Sequence, residues 1–387
     1  MAYTSELSFV YRSPTKIIFG ENAVDDVAAE VDELGGAKAL IVTDEGIEKA
    51  GLVERLEKAL GNKCAGIFDQ CTQDSGVHIV EGGYEFAKGK GVDVLVSIGG
   101  GSVIDTAKGM AILLKEGGKL SDYSGFQMLE RSVTPHIVIP TTTGTGSEVT
   151  FAAVIKDHAA KVKLLLGDIH LIPNIAVLDP TLVVGLSPQL TASTGLDALC
   201  HCVEAIHSLQ REPIADALAL HAIRLIRENL LRSFEKGDDL VARGQMQIAA
   251  TTAGFAFGNA QIGMVHALAH TVGAKYGVPH GIANGILLPH CIMYNLDECP
   301  DRYAMVAEAM GVRKDGMSDM EAGEAAANAI WELTKKLGLP QRLRDVGVPE
   351  DGLEECAEAS LSDGCIVYNP KTIIDSQETL GVYKKAW

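Results

Sequence analysis

The first half of the 387-residue chain alternates short β-branched runs with amphipathic stretches. Runs such as KALIVTD (38–44), VDVLVSIGGG (92–101) and NIAVLD (174–179) predict buried strands, and the stretches between them follow a helical period. Strands that alternate with helices are typical of a parallel sheet covered by helices on both faces. Residues 1–185 are therefore predicted to form an α/β domain.

The pattern changes after Pro188. Segments such as TASTGLDALCHCVEAIHSLQ and PIADALALHAIRLIRENLLRSF are helical by period and rich in Ala and Leu. Because no β-branched runs of comparable quality occur there, residues 186–387 are predicted to form an all-helical second domain.

The composition is that of an ordinary globular protein with an acidic surface. Apolar residues make up 47%, charged residues make up 22%, and the formal net charge is −18. A field of this sign repels phosphate backbones and anionic lipid, which argues against nucleic-acid and membrane partners. The sequence shows neither a signal-peptide core nor an apolar stretch of about 18 residues, so a cytoplasmic location is expected.

The eight cysteines are scattered without a CxxC pair, which favours free thiols in a reducing compartment. Cys200, His201 and Cys202 look like a metal-binding tract, but neighbours one and two apart on a helix point in different directions. The two thiols are therefore interpreted as small buried apolar residues.

Two turns of small residues follow predicted strands in the first half. Gly99, Gly100 and Gly101 end one strand, with a helix opening at Ser102, and PTTTGTGSE (140–148) follows another. Glycines let backbone amides approach an anion, and a helix N-terminus adds a partial positive charge. Two such turns indicate a dinucleotide site, although the GxGxxG fingerprint is absent. The alternative is that the glycines only make tight strand-to-helix turns.

Asp44 ends the first of these predicted strands, in TDEG. A carboxylate at this place can accept both ribose hydroxyls of adenosine and repels a 2′-phosphate. Aspartate is equally favoured as a helix N-cap, and position alone does not decide between the two roles.

The second half concentrates histidines on apolar helices. Asp197 and His201 stand four residues apart, His266 and His270 repeat that spacing, and His280 follows in a VPHG turn. One carboxylate with several imidazoles suits Fe(II) or Zn(II). A single buried histidine is more often a core residue, but two pairs at helical spacing favour a metal site. Spacing does not show which of the histidines bind it.

Five other histidines lack this support. His158, His170, His207 and His221 are predicted to be surface or solvated helix residues. His290, in LLPHCIMYN, stays ambiguous.

Four motifs together resemble the iron-containing (group III) alcohol dehydrogenases: TGLDALCHCVEA, GMVHALAHTVGAKYGVPHGIANGILLPH, GGGSVIDTAK and PTTTGTGSE. The resemblance runs from IIFG near the start to the closing YKKAW, and is to members of the lactaldehyde reductase and 1,3-propanediol dehydrogenase type. It implies a dehydroquinate synthase-like architecture. A Rossmann-like dinucleotide-binding domain is then followed by a helical metal-binding and catalytic domain, with the reaction in the cleft between them.

The resemblance also implies a set of metal ligands. These are Asp197, His201, His266 and His280, while His270 stands beside the nicotinamide and substrate without binding the metal. Fe²⁺ is the implied ion, and the same ligands suit Zn²⁺, Mn²⁺ or Co²⁺. Because all four positions are intact, the metal-free maleylacetate reductase branch of the superfamily is disfavoured.

The resemblance further implies where NAD and substrate bind, with Phe257 and Cys365 on the substrate wall. The segment QCTQDSG (70–76) replaces the family's Pro-Asn-Pro, so Asp74 stands where an asparagine normally meets the cofactor, which puts cofactor affinity in question. The other implied NAD contacts are Asp44, Gly99, Gly100, Gly101, Ser102, Thr142, Thr145, Val154 and Lys163.

The predicted reaction is NAD- and metal-dependent hydride transfer between a short primary alcohol or diol and its aldehyde or ketone. The metal would act as a Lewis acid on the substrate oxygen, and hydride would pass to C4 of the nicotinamide. His270 is the candidate proton relay. Small molecules are the expected partners, and the family implies a homo-oligomer, dimeric or larger.

Other functions stay open from the sequence. A hydroxyacid–oxoacid transhydrogenase or a glycerol dehydrogenase-like polyol oxidation would share the metal site. A metal-dependent hydrolase would need the same ligands but no dinucleotide. A non-catalytic metal-binding scaffold would tolerate a closed, fully protein-ligated site.

Overall fold

The computed structural model describes residues 7–158 and 162–387, which divide into two compact units. One unit is Ser13–Leu186, and the other is Ser187–Trp387 together with residues 7–12. The first contains the strands and the second is helical, which confirms the predicted fold classes.

The strands of the first unit form two sheets. β1, β2, β3, β4, β6 and β9 form a parallel sheet in the order β1-β9-β6-β4-β2-β3, and β5, β8 and β7 form a second, smaller sheet. Within the described residues the strands are β1 (Lys16–Phe19), β2 (Ala39–Val42), β3 (Cys64–Phe68), β4 (Val94–Gly99), β5 (Gly125–Phe126), β6 (His136–Pro140), β7 (Ala152–Asp157), β8 (Val162–Gly167) and β9 (Ile175–Leu178).

The parallel sheet is covered on both faces. Its central strands β2, β4, β6 and β9 are buried along their whole length, as near-continuous apolar runs predict. Along β4, Val94 and Val96 pack into the apolar core of one face, and Leu95 packs into that of the other. The α-helices of this unit are α1 (Val27–Glu33), α2 (Glu45–Lys49), α3 (Leu52–Leu60), α4 (Val77–Lys90) and α5 (Gly101–Glu116).

The second sheet and the edge strand β1 are not among the strands predicted from the sequence. β7 and β8 pair antiparallel, and β5 joins β8 in parallel. The residues between β7 and β8 include no Gly, Pro or Asn, so the usual hairpin signal is missing from the sequence.

The second unit packs its helices around one apolar core. Its first helix, α6, lies against α7, α8 and α10, and its N-terminus is capped by Ser187 Oγ, which accepts from Leu190 N at 3.2 Å. The helices are α6 (Pro188–His207), α7 (Pro213–Glu235), α8 (Leu240–Ala260), α9 (Met264–Tyr276), α10 (His280–Asn295), α11 (Pro300–Ala309), α12 (Asp319–Lys336), α13 (Leu353–Ser360) and α14 (Ser376–Ala386).

The prediction that His207 is solvated is wrong. His207 ends α6 in the interior of the helical unit, fully buried, and its Nδ1 is hydrogen-bonded to the hydroxyl of Tyr303 at 2.7 Å. Burial lowers its pKa to about 4, so it packs there as a neutral imidazole. His158 and His221 are exposed, as predicted, while His170 and His290 are half-buried.

All eight cysteines are free thiols. Cys200 and Cys202 are fully buried in the core of the helical unit, and burial raises the pKa of both thiols. Their interpretation as small apolar residues is confirmed. In the described parts of the chain, no helix combines the length and apolar character needed to cross a membrane.

Candidate metal and cofactor sites

Three helices of the second unit bring one carboxylate and three imidazoles together. Asp197 and His201 lie one turn apart on α6, and Asp197 Oδ1 lies 3.9 Å from His201 Nε2. His266 on α9 places its Nε2 3.6 Å from the same oxygen. His280 places its Nε2 3.4 Å from it, but as the first residue of α10 and not in a turn as predicted.

A glycine lets the start of α10 approach α6. A Cβ at Gly281 would lie 2.1 Å from the carbonyl oxygen of Ser193, one turn before Asp197. Only glycine fits at this separation, so Gly281 keeps the neighbouring His280 close to Asp197.

The donor set fits a divalent cation. Nitrogen and oxygen ligands bound tetrahedrally at about 2.0–2.2 Å lie about 3.3–3.6 Å from one another. The separations from Asp197 Oδ1 are close to this range, and ligand atoms of Asp197, His201 and His266 all lie within 4.8 Å of each other. His266 is almost fully buried, whereas the His280 side chain is 42% exposed, so the site opens on the side of His280.

Asn284 is a further buried side chain at the same place, one turn after His280 on α10. Its Nδ2 lies 2.7 Å from Asp197 Oδ1 and 3.2 Å from Nε2 of both His266 and His280. An amide nitrogen carries two hydrogens, so when both imidazoles are neutral with Nε2 unprotonated, as metal-binding histidines are, these three acceptors outnumber the donors that face them. A cation would satisfy the lone pair that is left over.

Glu204 holds the far side of the His266 ring. It lies one turn after His201 on α6 and is fully buried, and its Oε2 accepts a hydrogen bond from His266 Nδ1. Burial by itself would lower the pKa of His266, but the charges of Glu204 and Asp197 raise it to about 9. Glu204 is not among the site residues predicted from the sequence.

His270 stands beside these ligands with a partner of its own. Its ring lies parallel to that of His280, with centroids 5.3 Å apart, and its Nδ1 donates to Asp363 Oδ2 at 2.8 Å. Asp363 Oδ1 also accepts from the backbone of Cys365 at 2.9 Å. Burial by itself would raise the pKa of Asp363, but its bond to His270 lowers it. Asp363 therefore fixes a tautomer in which His270 Nε2 carries the lone pair.

Both predicted substrate-wall residues lie at this cluster. The Phe257 ring stacks on the ring of His201 with centroids 4.1 Å apart and an interplanar angle of 18°. Cys365 lies beside His270 and Asp363. The next residue, Ile366, is 8% exposed and packs into the apolar core of the unit.

The two predicted phosphate-binding turns meet in the first unit. β4 ends at Gly99, and α5 begins at Gly101. A Cβ at Gly100 would lie 3.1 Å from Thr142 Cγ2, and one at Gly101 would lie 2.9 Å from Thr145 Cγ2. The glycines are thus required by the close approach of the second turn, and both turns lie at the carboxyl ends of neighbouring parallel strands.

Ser102 and Asp74 lie together at the start of α5. The Asp74 backbone N–H donates to Ser102 Oγ at 3.1 Å, and the Asp74 backbone has a φ of 52°. Its carboxylate is paired with Lys156 Nζ at 2.7 Å. The negative charge that replaces the expected asparagine is therefore matched by a lysine from β7.

Two oppositely charged side chains of α5, Asp105 and Lys108, hold the residues around these turns through separate hydrogen bonds. Asp105 accepts from Ser147 Oγ at 2.8 Å and from the backbone N–H of Val154 at 3.0 Å. Lys108, one turn further along α5, is almost fully buried and donates to the carbonyls of Thr150 and Ala152. Burial raises the pKa of Asp105 and lowers that of Lys108 to about 8. Both residues belong to the GGGSVIDTAK motif, but neither is among the site residues predicted from the sequence.

Two further predicted cofactor residues, Asp44 and Lys163, lie elsewhere in the same unit. Asp44 is the N-cap of α2, and its Oδ1 accepts from the N–H groups of Gly46 and Ile47 at 2.8 and 3.0 Å. The helix-capping role is therefore present, and it uses one of the two carboxylate oxygens. Lys163 is exposed on β8, opposite Lys156 in the β7–β8 pair.

Comparison with known proteins agrees with this geometry. The family model described as "Iron-containing alcohol dehydrogenase" matches residues 14–180, and that of the C-terminal part of the Fe-containing alcohol dehydrogenase family matches residues 191–387. The chain belongs to the iron-containing alcohol dehydrogenases and is an oxidoreductase of that type.

Several members of the family are similar over almost their whole length. The chain is 41% identical to a 1,3-propanediol dehydrogenase of Citrobacter freundii, covering 94% of this chain and 95% of that protein. It is 37% identical to an NAD-dependent methanol dehydrogenase of Bacillus methanolicus, covering 96% and 98%. A crystal structure of 1,3-propanediol oxidoreductase superposes with a TM-score of 0.96 at 39% identity, covering 98% of this chain and all of that one.

Proposed function

We propose that this dehydrogenase uses NAD and a divalent metal to interconvert a short primary alcohol or diol with its aldehyde or ketone. The observation that carries the proposal is that the Nε2 atoms of His201, His266 and His280 all lie within 3.9 Å of Asp197 Oδ1 in the helical unit. Substrate class and cofactor are supported by relatives whose names specify a diol, methanol and NAD.

In this proposal the helical unit is the metal-binding and catalytic domain. The four converging side chains hold the ion, with Fe²⁺ first and Zn²⁺, Mn²⁺ or Co²⁺ compatible with the same donors. When bound, the ion supplies Lewis-acid polarisation of a hydroxyl or carbonyl oxygen. Phe257 and Cys365 form the substrate wall beside it, and the open side at His280 leaves room for a substrate.

The α/β unit is the proposed dinucleotide-binding domain. The turn of Gly99, Gly100 and Gly101 with Ser102 at the start of α5 directs backbone amides and a helix N-terminus at the pyrophosphate. Thr142, Thr145, Val154, Lys163 and Asp74 complete the proposed cofactor contacts. Hydride acceptance is the chemistry that the nicotinamide supplies when bound.

His270 is the proposed proton relay. Its Nδ1 is engaged by Asp363, so its Nε2 is the atom that can take a proton from a substrate hydroxyl or return one to a carbonyl oxygen. Asp363 acts as the positioning residue of this pair, because it touches the ring of His270.

The decisive experiment is a screen for NAD reduction over short alcohols, diols and hydroxyacids with protein reconstituted anaerobically with Fe²⁺. Turnover that requires both metal and NAD would support the proposal. Exchange between a hydroxyacid and an oxoacid without added NAD would instead indicate a transhydrogenase. Failure to bind NAD in a fluorescence titration would point to a hydrolase, and binding of metal and NAD without turnover would point to a scaffold.

We expect catalytic efficiency to peak at short chains. Phe257 stacks against a proposed metal ligand, and Cys365 lies among His270 and Asp363, so both sides of the substrate wall are close to the reacting position. Each methylene that does not fit a pocket changes the selectivity between two substrates by about 1–3 kcal/mol. The measurement is kcat/KM from ethanol through octanol, with 1,3-propanediol alongside. A steady rise to the longest chain would contradict the prediction.

We expect NAD to be preferred over NADP because of the Asp44 carboxylate, whose charge opposes a 2′-phosphate. Asp44→Gly should lower the KM for NADP at least several-fold and so reduce the preference for NAD over NADP. Glycine is tolerated as an N-cap at a cost of a few tenths of a kcal/mol, so loss of the α2 cap does not confound the result. Asp375→Gly, at the N-cap of α14, is the matched control and should leave the ratio of kcat/KM for NAD to that for NADP unchanged. A wild-type protein that uses both cofactors equally well would refute this role of Asp44.

A homo-oligomer in the cytoplasm completes the proposal. β1 is an edge strand, with Ile17 and Phe19 exposed along it, and an exposed apolar edge supports self-association. The free thiols suit a reducing compartment. Light scattering after size-exclusion chromatography would measure the oligomeric state.

A further inference from the structure

Glu204 is a buried carboxylate with two defined partners. It has no solvent exposure, and its Oε1 accepts from the backbone N–H of Val265 at 2.7 Å, while its Oε2 accepts from His266 Nδ1. A buried carboxylate is costly unless it is paired and hydrogen-bonded. Both of its partners belong to the first turn of α9, so the whole side chain serves to hold that turn and its histidine.

The position of Glu204 follows from the helix that supplies two of the proposed ligands. Asp197, His201 and Glu204 stand at i, i+4 and i+7 of α6, which places them along one face. The start of α9 lies in contact with this face: a Cβ at Gly263 would lie 3.4 Å from Glu204 Oε1, an ordinary van der Waals distance. α6 therefore provides two of the proposed ligands, Asp197 and His201. One turn after His201 it also provides Glu204, which binds the ring nitrogen of His266 that faces away from Asp197.

The bond from Glu204 determines which nitrogen of His266 faces the site. Because an ionised carboxylate only accepts, Nδ1 must carry the hydrogen, so in the neutral ring that binds a metal it is Nε2 that presents its lone pair towards Asp197. The amide Nδ2 of Asn284, a donor, lies 3.2 Å from that Nε2, in agreement with this tautomer.

We propose that Glu204 is a positioning residue for the metal: through its bond to His266 it orients that ring and raises the affinity of the site for a divalent cation. The inference rests on the proposed function, because it assumes that His266 is a ligand. Residues that hold a metal-bound histidine from behind typically change metal affinity by about 10–100-fold when they are replaced.

The test compares Glu204→Gln with a matched control, Glu212→Gln. Glu212 is also buried, on the same unit, but its carboxylate caps α7 by accepting from the N–H groups of Ile214 and Ala215. Metal-free protein is titrated with Co²⁺ and Zn²⁺ against a chromophoric chelator, and the visible spectrum of the Co²⁺ form is recorded. NAD binding is followed by fluorescence, and thermal unfolding is measured without metal.

We expect Glu204→Gln to weaken Zn²⁺ and Co²⁺ binding by about 10–100-fold and to alter the Co²⁺ spectrum, while NAD affinity stays within about twofold of wild type. Glu212→Gln should lower thermal stability without either metal effect. If Glu204→Gln fails to fold, Glu204→Asp takes its place in the same comparison. It keeps the charge but is one methylene shorter, so a smaller loss of metal affinity is expected.

Two results are separable in this design. If wild-type protein binds no divalent metal, the proposed function itself fails. If wild type binds metal and Glu204→Gln binds it equally well with an unchanged Co²⁺ spectrum, the metal site stands and the role of Glu204 is overturned.

Discussion

Replacing His266 with alanine is expected to remove the metal and to reduce turnover by about 10³-fold or more, while NAD binding is retained. Lewis-acid stabilisation is worth several kcal/mol, and each 1.36 kcal/mol corresponds to about a factor of ten in rate. NAD affinity should persist because the glycine turns belong to the α/β unit and not to the unit that carries His266. Elemental analysis, steady-state kinetics and a nicotinamide fluorescence titration measure the three quantities.

The hydrogen bond between His266 and Glu204 determines which control variants are needed. Alanine would leave the buried carboxylate of Glu204 without its side-chain partner, which costs about 1–3 kcal/mol and more for a charged group. His266→Gln retains an amide that can donate to Glu204 and should lose the metal with less damage to stability. His221→Ala, exposed on α7, should leave all three quantities unchanged. Full metal content in both His266 variants would show that this residue is not a ligand.

The parts of the fold that could be predicted from the sequence are those with a long, repeated pattern. β2 and β4 carry near-continuous apolar runs because both faces of a parallel sheet are buried, and α6 and α7 carry a helical period over five turns or more. The edge strand β1 has only four residues, mostly exposed, and the β7–β8 pair lacks a turn signal. Short and half-exposed strands give too little pattern to be distinguished from loops.

The burial of individual polar side chains follows from packing between distant segments and not from local pattern. From the sequence His207 is predicted to be a solvated helix residue. In the structure it contacts Tyr303, almost a hundred positions later, in the interior. Asp363 reaches His270 over a similar separation. Neither contact can be predicted from the residues that stand next to it in the sequence.

Glu204 is different, because its position did carry a signal. It continues the spacing of Asp197 and His201 along one face of α6, and a carboxylate behind a histidine ligand is a common arrangement. One further helical turn along this face of α6 leads from His201 to Glu204.

The second large effect is expected at the glycine turn: Gly101→Ala should reduce kcat/KM for NAD by about 10–100-fold and leave metal content unchanged. A Cβ at this position would lie 2.9 Å from Thr145 Cγ2, closer than such atoms approach in folded proteins. Thr145 cannot simply rotate away, since its Oγ1 accepts from the Ser147 backbone N–H at 3.3 Å. The second turn must therefore shift, and a displacement of about 1 Å at a positioned group costs about 10²-fold in rate.

Two further variants separate this cause from a general effect of alanine. Gly82→Ala on α4 meets nothing within 4 Å and should leave the kinetics unchanged, because alanine is favoured over glycine inside a helix. Adding Thr145→Ser to Gly101→Ala removes the clashing methyl while keeping the hydroxyl that binds Ser147, and should recover most of the lost NAD affinity. If the double variant is as impaired as Gly101→Ala alone, the contact with Thr145 is not the reason that position 101 requires glycine.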